Sequence, residues 1–356
     1  MPSHNPWTAG TPITGVPADS HEPALALVGE QLHLTWTSNR VVYHAYLTAE
    51  GWSSPVRLAS GEQSTLATAG DGRLHCLFVN QFAGNYEIYY VSHDDNGWSL
   101  PRNLSRTSGI STHPTLAIAP DGALHAAWAD NTPGYSVIYH GQLHETFWSS
   151  VPIPNGRGSM PALAITPNGD LYLAWQDRLS DTGRFEVFGS IHCNDAWSIP
   201  EIVSDAPDAH SLAPSLVTNM QGGCHMVWQE EDAGIYRVRH ADRRPNSWAT
   251  PVDVSETDSD CRLARIAANR QGFLQAVWLE GQLLRHRVRS PEYDAAWWEA
   301  ETVSSECQGL SDLALAISRA GTVHLVTCGF DGAGSRRLSY IQREPVFKYS
   351  TFVPVG

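Results

Sequence analysis

Histidine and carboxylate residues are the groups in this sequence that could carry acid–base chemistry, and the chain contains 16 histidines. Histidine titrates near neutral pH, and a neighbouring carboxylate fixes its tautomer and raises its pKa towards the working range. Two pairs fit this chemistry. We predict His113 with Asp130 as the first candidate catalytic pair, and His210 with Glu230 as the second.

Most of the other histidines belong to a repeat and are interpreted as packing residues. A side chain that recurs at one position of a repeat performs the same structural role in each copy, and buried histidine commonly bonds a neighbouring strand. Nine histidines recur in this way: His33, His75, His125, His225, His324, His44, His140, His240 and His286.

The repeat is the strongest signal in the sequence. Residues 113–128 read HPTLAIAPDGALHAAW, and residues 160–175 read MPALAITPNGDLYLAW. The tryptophan that ends this segment recurs along the chain at intervals of 42 to 53 residues, with a substitution in two copies. The seven positions are Trp36, Phe78, Trp128, Trp175, Trp228, Trp278 and Thr327.

Each repeat unit predicts four strands, which we call A to D. The Pro-x-Leu-Ala run is strand A, an Asp-Gly or Asn-Gly turn follows, and the Leu-His-x-x-Trp run is strand B. An aromatic segment is strand C, and a Trp-led segment is strand D. Four strands per unit at this period are typical of a β-propeller. We predict an all-β, seven-bladed β-propeller with four-stranded blades that start near residues 21, 62, 112, 159, 212, 262 and 311.

The last unit lacks a Trp-led strand D, and a matching segment lies at the start of the chain. Residues 7–14 match residues 98–105 in the tryptophan and in the final apolar–hydroxyl pair. We therefore predict that the N-terminal strand completes the seventh blade and closes the ring, which removes an exposed sheet edge. Residues 1–356 would then form one domain, with residues 344–356 as a C-terminal extension.

The face formed by the D-to-A and B-to-C connections is the predicted functional face, because its loops vary while the A-to-B turns are uniform. Hairpin register with a turn at residues 120–123 places His113 opposite Asp130 and Ala213 opposite Glu230. The same carboxylates could instead cap the B-to-C loops. Further candidate substrate-binding residues on this face are His21, Arg40, Asn80, Arg157, Asp177, Arg178 and Arg262.

Charge and cysteine content limit the partners. The formal net charge of −14 makes nucleic acid and anionic membranes poor partners, because both require a basic surface. No segment resembles a signal peptide, which predicts a cytoplasmic protein unless a signal was removed.

Six cysteines without close spacing disfavour a zinc site, and a Cys261–Cys307 disulfide stays open. We predict no cofactor; Ca²⁺ at the oxygen-rich segments 130–131 or 230–232 also stays open.

The repeat resembles those of sialidase-superfamily and BNR-type propellers. The unit carries Trp-x-Asp, Ile-Tyr-Tyr, Trp-Ser-x-Pro and Asp-Gly-x-Leu-His-x-x-Trp, and residues 92–98 come close to the Asp box of that superfamily. The sequence lacks a Phe-Arg-Ile-Pro motif and an assembled arginine triad, so the resemblance does not imply sialidase activity. Seven-bladed proteins of this broad group include polysaccharide lyases, glycosidases, lectins and cofactor-free cyclases.

Three functions follow as hypotheses. The first is a propeller that recognises or processes a carbohydrate at the central opening of the D-to-A and B-to-C face. The second is a cofactor-free acid–base enzyme acting on a non-sugar small molecule, and the third is a protein-interaction scaffold. Whether the protein is an enzyme stays open; a catalytic version would be a lyase, glycosidase or cyclase using histidine and carboxylate. The sequence does not specify the oligomeric state.

Overall fold

The computed structural model describes residues 6–82, 84–144, 147–204, 206, 208–256, 258–292, 294–304, 309–331 and 334–345. The described residues form seven antiparallel sheets arranged as a seven-bladed β-propeller, which confirms the predicted fold class. Adjacent inner strands contact one another around the whole ring, including the last with the first. Within the described residues, no helix is long and apolar enough to cross a membrane.

The described residues contain thirty-one strands, and strand D is split into two short pieces in blades one, two and four. The N-terminal strand is β1 (Thr11–Pro12). Blade one contains β2 (His21–Val28), β3 (Gln31–Ser38), β4 (Val41–Thr48), β5 (Gly51–Trp52) and β6 (Val56–Ser60). Blade two contains β7 (Glu62–Thr68), β8 (Leu74–Asn80), β9 (Glu87–Asp94), β10 (Gly97–Trp98) and β11 (Arg102–Asn103). Blade three contains β12 (Ser111–Ile118), β13 (Leu124–Asp130), β14 (Val137–His144) and β15 (Phe147–Arg157).

The remaining four blades follow the same order along the chain. Blade four contains β16 (Ser159–Ile165), β17 (Leu171–Arg178), β18 (Phe185–Cys193), β19 (Ala196–Trp197) and β20 (Glu201–Ile202). Blade five contains β21 (His210–Thr218), β22 (Cys224–Asp232), β23 (Ile235–Asp242) and β24 (Val252–Asp253). Blade six contains β25 (Cys261–Ala268), β26 (Leu274–Glu280), β27 (Leu283–Arg289) and β28 (Glu301–Ser304). Blade seven contains β29 (Asp312–Ile317), β30 (Val323–Phe330) and β31 (Arg336–Arg343).

The N-terminal strand closes the ring as predicted. In β1, Thr11 pairs with Tyr340 and Pro12 pairs with Ser339 of β31, so β1 is the fourth strand of blade seven. Trp7 is 5% exposed and packs with Val277 of blade six and Leu325 of blade seven. Residues from both ends of the chain therefore share one blade. Residues 346–356 of the predicted C-terminal extension lie outside the described residues.

The core lies between neighbouring sheets. The repeated tryptophan of strand B is at most 1% exposed in five blades and fills the space against the adjacent blade. Trp128, for example, packs with Leu77 and Ile88 of blade two. Burial of a tryptophan removes a large apolar surface from water, which stabilises the contact between blades. Cys261 is a free, buried thiol, and Cys307 lies outside the described residues.

The repeated histidines form a buried layer between strands B and C, consistent with a packing role. His33 Nδ1 lies 3.0 Å from His44 Nε2, and His125 Nδ1 lies 3.1 Å from His140 Nε2. Burial lowers the pKa of His33 to about 4 and that of His140 to about 3. These imidazoles are therefore neutral in the folded protein at neutral pH. We call the nine repeated histidines the histidine layer: His33, His44, His75, His125, His140, His225, His240, His286 and His324.

The predicted hairpin register is wrong near the start of strand A. Ser111, not His113, lies opposite Asp130, and Ser211 lies opposite Glu230. Two features cause the difference: the A-to-B turn is one residue out of the assumed position, and a β-bulge interrupts strand A between Thr112 and Thr115. A bulge adds a residue to one strand only, so pairing beyond it shifts. The proposed contact between His113 and Asp130 is therefore absent from the ladder.

Candidate functional site

One repeat position brings seven different side chains to the mouth of the central channel. This position stands at or near the start of strand A, next to the D-to-A loops. We call these residues the mouth ring: Glu22, Gln63, His113, Met160, Ala213, Leu263 and Asp312. Each of them lines a cavity of about 760 Å³ at the channel mouth. All seven blades thus contribute to one cavity.

Six of the mouth-ring residues have a left-handed backbone, with φ between 52° and 56°. This conformation is uncommon for residues other than glycine, and here it coincides with the bulge in strand A of blades one to six. Side chains from the preceding blade satisfy several of the freed amides. Gln63 N donates to Glu22 Oε2 at 2.8 Å, and His113 N donates to Gln63 Oε1 at 2.9 Å. The bulge therefore aims each mouth-ring residue and links neighbouring blades.

The charged residues of the mouth lie on one side, and most of its apolar residues lie on the other. Blades seven, one, two and three supply Asp312, Glu22, Gln63 and His113, while blade six adds Arg265. Blades four and five supply mainly apolar residues, including Met160, Leu163, Leu212, Ala213 and Leu216, together with Gln176, Ser215 and Gln229. A site with one reactive side and one apolar wall is asymmetric, as a single ligand requires.

Glu22 is held in the mouth by two hydrogen bonds to the same carboxylate oxygen. Thr37 Oγ1 donates to Glu22 Oε2 at 2.9 Å, and Gln63 N donates to it at 2.8 Å. Both donors are fixed, one on β3 and one on the bulge of β7. Hydrogen bonds to a charged carboxylate are stronger than neutral ones, so the Glu22 side chain is oriented before a ligand binds.

Asp312 is the second carboxylate of the mouth and lies beside Arg265. The distance from Arg265 Nη2 to Asp312 Oδ1 is 3.3 Å. Burial raises the pKa of Asp312, and the nearby Glu22 carboxylate raises it further, while Arg265 lowers it. Two carboxylates near one another cannot both ionise freely. Asp312 is therefore the mouth carboxyl best suited to hold a proton.

Arg265 differs in size and charge from the residues at the same repeat position in the other blades. The corresponding residues of the other six blades are small: Ala24, Thr65, Thr115, Ala162, Ser215 and Ala314. A long cation at a position that otherwise carries small residues points into the space those residues leave open. Arg265 is the one arginine among the described residues that line the mouth cavity.

His113 is the one candidate from the sequence that lines the mouth cavity. Its Nδ1 lies 3.0 Å from Thr112 Oγ1. Burial lowers the pKa of His113, and the charge of Glu22 opposes that effect. A neutral imidazole in the mouth can accept or donate one hydrogen bond through each nitrogen.

Asp130 and Glu230 lie at or near the end of strand B in their blades. Asp130 is fully buried; its Oδ2 accepts from Thr107 Oγ1 and from Ser111 Oγ, both at 2.7 Å. Glu230 accepts from Trp228 Nε1 at 3.4 Å and lies 3.4 Å from Arg239 Nε. Burial raises the pKa of Glu230. The contacts of Asp130, which include the backbone N–H of Thr132, match the loop-capping interpretation. Those of Glu230 join strands B and C of blade five.

His210 and His21 also contact nearby backbone. His210 Nδ1 accepts from Phe185 N at 3.1 Å, and the histidine lies opposite Glu231 in the ladder. His21 Nδ1 donates to the carbonyl oxygen of Asp19 at 2.9 Å, where it begins β2. Neither histidine lines the mouth cavity.

Arg40 and Asn80 share a smaller cavity of about 380 Å³ between blades one and two. Arg40 Nη2 donates to Tyr86 Oη at 2.8 Å, and Asn80 Nδ2 donates to the Ser60 carbonyl at 2.5 Å. The cavity lies at the rim of the functional face, outside the mouth ring.

The other candidates lie in loop contacts. Arg157 Cζ lies 4.9 Å from the centre of the Tyr135 ring, and Arg262 Nε donates to Asp260 Oδ2. Asp177 accepts from the backbone N–H of Arg178, whose Nε donates to the Gly183 carbonyl. Burial raises the pKa of Asp177. The structure therefore separates these residues from His113.

Reasoning from sequence missed Glu22, Gln63, Arg265 and Asp312 as members of one site. The signal was present, because the mouth ring precedes the Pro-x-Leu-Ala run at one fixed offset in every unit. The seven residues at that repeat position are two acids, one histidine, one glutamine and three apolar residues. The predicted site relied on the carboxylates of strand B, and the turn position and the bulge in strand A together remove the predicted pairing of Asp130 with His113.

Potential metal ligands do not cluster in the described part of the chain. Within it, no group of three or more His, Cys, Asp or Glu side chains is arranged to hold a metal ion. Of the two calcium candidates, segment 130–131 directs the Asp130 carboxylate to protein donors, including the backbone N–H of Thr132 at 2.8 Å.

Comparisons with known proteins support the fold. No family model and no curated protein matches this sequence. Among solved structures, an ulvan lyase of polysaccharide lyase family PL25, bound to -[GlcA(1-4)Rha3S]-, matches with a TM-score of 0.64 and 10% identity over 95% of this chain and 97% of that chain. The polysaccharide lyase Uly1 matches with a TM-score of 0.62 and 12% identity over 98% and 94%. The GH93 α-L-arabinofuranosidase of Fusarium graminearum, in complex with arabinobiose, matches with a TM-score of 0.55 and 12% identity over 95% and 98%. At these identities the likeness shows a shared propeller fold.

Proposed function

We propose that this protein processes a carbohydrate at the channel mouth, by acid–base cleavage of a glycosidic bond. The observation that carries the proposal is the convergence of Glu22, Asp312, Arg265 and His113 on one cavity with an apolar opposite wall. A cavity of about 760 Å³ has room for a short saccharide. The structural neighbours that act on polysaccharides or arabinosides support the same class of ligand.

The two mouth carboxyls divide the roles of acid and base. Asp312, whose pKa is raised by burial, holds a proton and donates it to the glycosidic oxygen as that bond breaks. Glu22, held by Thr37 Oγ1 and by the backbone N–H of Gln63, either takes a proton from the water that attacks the sugar carbon, or attacks that carbon itself to form a glycosyl ester that water then hydrolyses. Arg265 orients Asp312, and His113 hydrogen-bonds a sugar hydroxyl.

The charge of the mouth favours a neutral glycan over a uronic acid. Glu22 and Asp312 are acidic, and the guanidinium of Arg265 already lies 3.3 Å from Asp312. A substrate carboxylate would meet the carboxylate of Glu22, and the one arginine that lines the cavity already contacts Asp312. For the same reason the sialic acid chemistry of sialidases, which requires an arginine triad, is not proposed.

The test is a panel of neutral and uronic-acid polysaccharides incubated with the purified protein. Hydrolysis of a neutral glycan, seen as new reducing ends, is the expected result, and it should be lost in Glu22→Gln. Glu30→Gln is the matched control, because Glu30 lies in the same blade on the opposite turn and is exposed. Unsaturated uronate products would contradict the proposal and favour a lyase. No product from any glycan would favour the non-sugar enzyme or the scaffold.

A further inference from the structure

A second large cavity lies on the opposite face of the propeller, which the A-to-B and C-to-D turns form. Its volume is about 690 Å³, and it lies between blades one and two. Val28, Gln31 and His33 form one wall, and residues 71–74 and 93–97 of blade two form the other. None of these residues belongs to the mouth ring.

His33 contributes a buried polar group to this cavity. The residue is 6% exposed, and its Nδ1 is hydrogen-bonded to His44 Nε2 at 3.0 Å. Its other ring nitrogen, Nε2, is buried and has no hydrogen-bond partner among the described residues. Buried polar atoms are rarely left without a partner, because the unmade hydrogen bond destabilises the fold.

Other blades satisfy the same atom from within the protein. In blade three, Gln142 Nε2 lies 3.5 Å from His125 Nε2, and in blade five Asn219 Nδ2 lies 3.2 Å from His225 Nε2. Blade one has Tyr46 where blade three has Gln142, since Tyr46 pairs with His33 as Gln142 pairs with His125. An amide donor is therefore replaced by a tyrosine ring, which lies 5.7 Å from the His33 ring.

Three carboxylates line the same cavity as His33, together with Arg73. Asp71, Asp94 and Asp95 are exposed residues of its wall. Asp71 Oδ1 accepts from Arg73 N, and Asp94 Oδ1 accepts from Asn96 N, so both side chains are oriented by their own turns. An ionised carboxylate only accepts hydrogen bonds. The cavity therefore offers acceptors both at its rim and at its buried wall.

The His93 ring gives the cavity an ordered flat surface. It packs edge-on against Trp98 at 5.1 Å and lies 6.2 Å from the His44 ring. Val28 and Leu74 add apolar contacts nearby. A sugar ring combines one apolar face with hydroxyl donors at its edge, which matches this combination of surfaces.

We propose that this cavity is a second binding site, for a terminal neutral sugar residue. One sugar hydroxyl donates to His33 Nε2 and replaces the amide that blades three and five provide. Neighbouring hydroxyls donate to the carboxylates of Asp71 and Asp94, and the ring lies against His93. The site binds without chemistry and is independent of the mouth.

A neutral hydroxyl fits the buried histidine better than a cation does. A charged ammonium group would have to leave water to reach Nε2, and desolvation of an ion is costly. A metal ion is also disfavoured, because no group of three or more suitable side chains among the described residues could hold one.

The experiment follows the histidine ring signals by NMR while methyl glycosides of glucose, galactose, mannose, fucose and N-acetylglucosamine are added. We expect at least one sugar to shift the His33 signals saturably. Asp71→Asn should weaken that binding about tenfold, the loss expected for one hydrogen bond to a charged group. Asp121→Asn is the matched control, because Asp121 accepts from Ala123 N in the equivalent turn of blade three. It should bind as the unmodified protein does.

The variant Tyr46→Gln tests the proposed role of His33 directly. It supplies the amide that Gln142 supplies in blade three, so sugar binding should disappear while the His44 and His93 signals still report a folded blade. Three results would overturn the proposal: no sugar shifts His33, methylamine shifts it in place of the sugars, or Asp71→Asn and Asp121→Asn weaken binding equally. Signals of His113 report the mouth separately, so failure of one site is distinguishable from failure of the other.

Discussion

The mouth ring and the histidine layer use the same repeat in opposite ways. In the mouth ring the backbone is repeated, with φ between 52° and 56° in six blades, while the side chains differ from blade to blade. In the histidine layer the side chain itself is repeated, and pairs such as His33 with His44 and His125 with His140 recur. Repetition of a side chain marks packing, and variation on a repeated backbone marks a single site.

The contrast also shows how burial acts on similar chemistry. Burial lowers the pKa of His140 to about 3 in the histidine layer, and it lowers the pKa of His113 in the mouth. His140 is buried against His125 between two strands, whereas His113 lines a cavity that a ligand can enter. The same physical effect therefore stabilises a neutral core in one region and prepares a neutral hydrogen-bonding group in the other.

Acid should have the largest effect, because it acts on the whole histidine layer. The pKa is lowered to about 4 in His33, His75, His225 and His324 and to about 3 in His44 and His140. The unfolded chain binds these protons from about pH 6.5 downwards and the folded protein does not, so stability falls as pH falls through this window. Each such histidine contributes about 1.4 kcal/mol per pH unit.

Urea unfolding at about pH 7 and about pH 5 checks this expectation. The double variant His125→Gln/His140→Gln should show a shallower pH dependence than the unmodified protein. An equal free energy of unfolding at the two pH values would mean that the layer is not neutral when folded.

Asp312→Asn should have the next largest effect, and on activity alone. Loss of the proton donor should lower kcat/KM about 10²- to 10⁴-fold on the glycan that the panel identifies. The thermal midpoint should change little, because asparagine keeps the shape and removes a carboxyl whose ionisation burial opposes. Full activity in this variant would remove Asp312 from the mechanism.

Asp130→Ala should reduce stability by about 3 kcal/mol, because it leaves the buried Ser111 hydroxyl and two less buried donors without their acceptor. The three donors are Thr107 Oγ1, Ser111 Oγ and Thr132 N. Asp177→Ala is the control, since Asp177 occupies the same repeat position in blade four and is partly exposed. Urea unfolding should separate the two variants, and activity per folded molecule should be unchanged. A selective loss of kcat in Asp130→Ala would restore the catalytic interpretation.

Glycine substitutions in the mouth ring should give the smallest effects. Both His113→Gly and Ala213→Gly relieve a left-handed backbone, and each should change stability by about 1 kcal/mol or less. His113→Gly alone should raise KM, by up to about tenfold, because only it removes a hydrogen bond to substrate. Equal kinetics for both variants would show that His113 has no contact with the ligand.

The fold could be predicted from the sequence because short local motifs repeat along the chain. The Asp-Gly turns, the Trp of strand B and the Trp-led strand D recur with a period that four strands require. Ring closure followed from a match between residues 7–14 and residues 98–105, and β1 pairs with β31 as expected. Local sequence patterns are sufficient to predict which strands form and in what order they follow along the chain.

The site was harder to predict from the sequence, because it depends on a β-bulge and on residues that are far apart in the sequence. The position of the A-to-B turn and the bulge after Thr112 together changed the register, so Ser111 faces Asp130 while His113 lies in the mouth. Glu22, Arg265 and Asp312 come together although they lie in blades one, six and seven. The sequence determined the blades, their number and their closure. Only the tertiary structure decided which residues share the mouth, because the curvature of the ring, and no local pattern, brings distant blades to one axis.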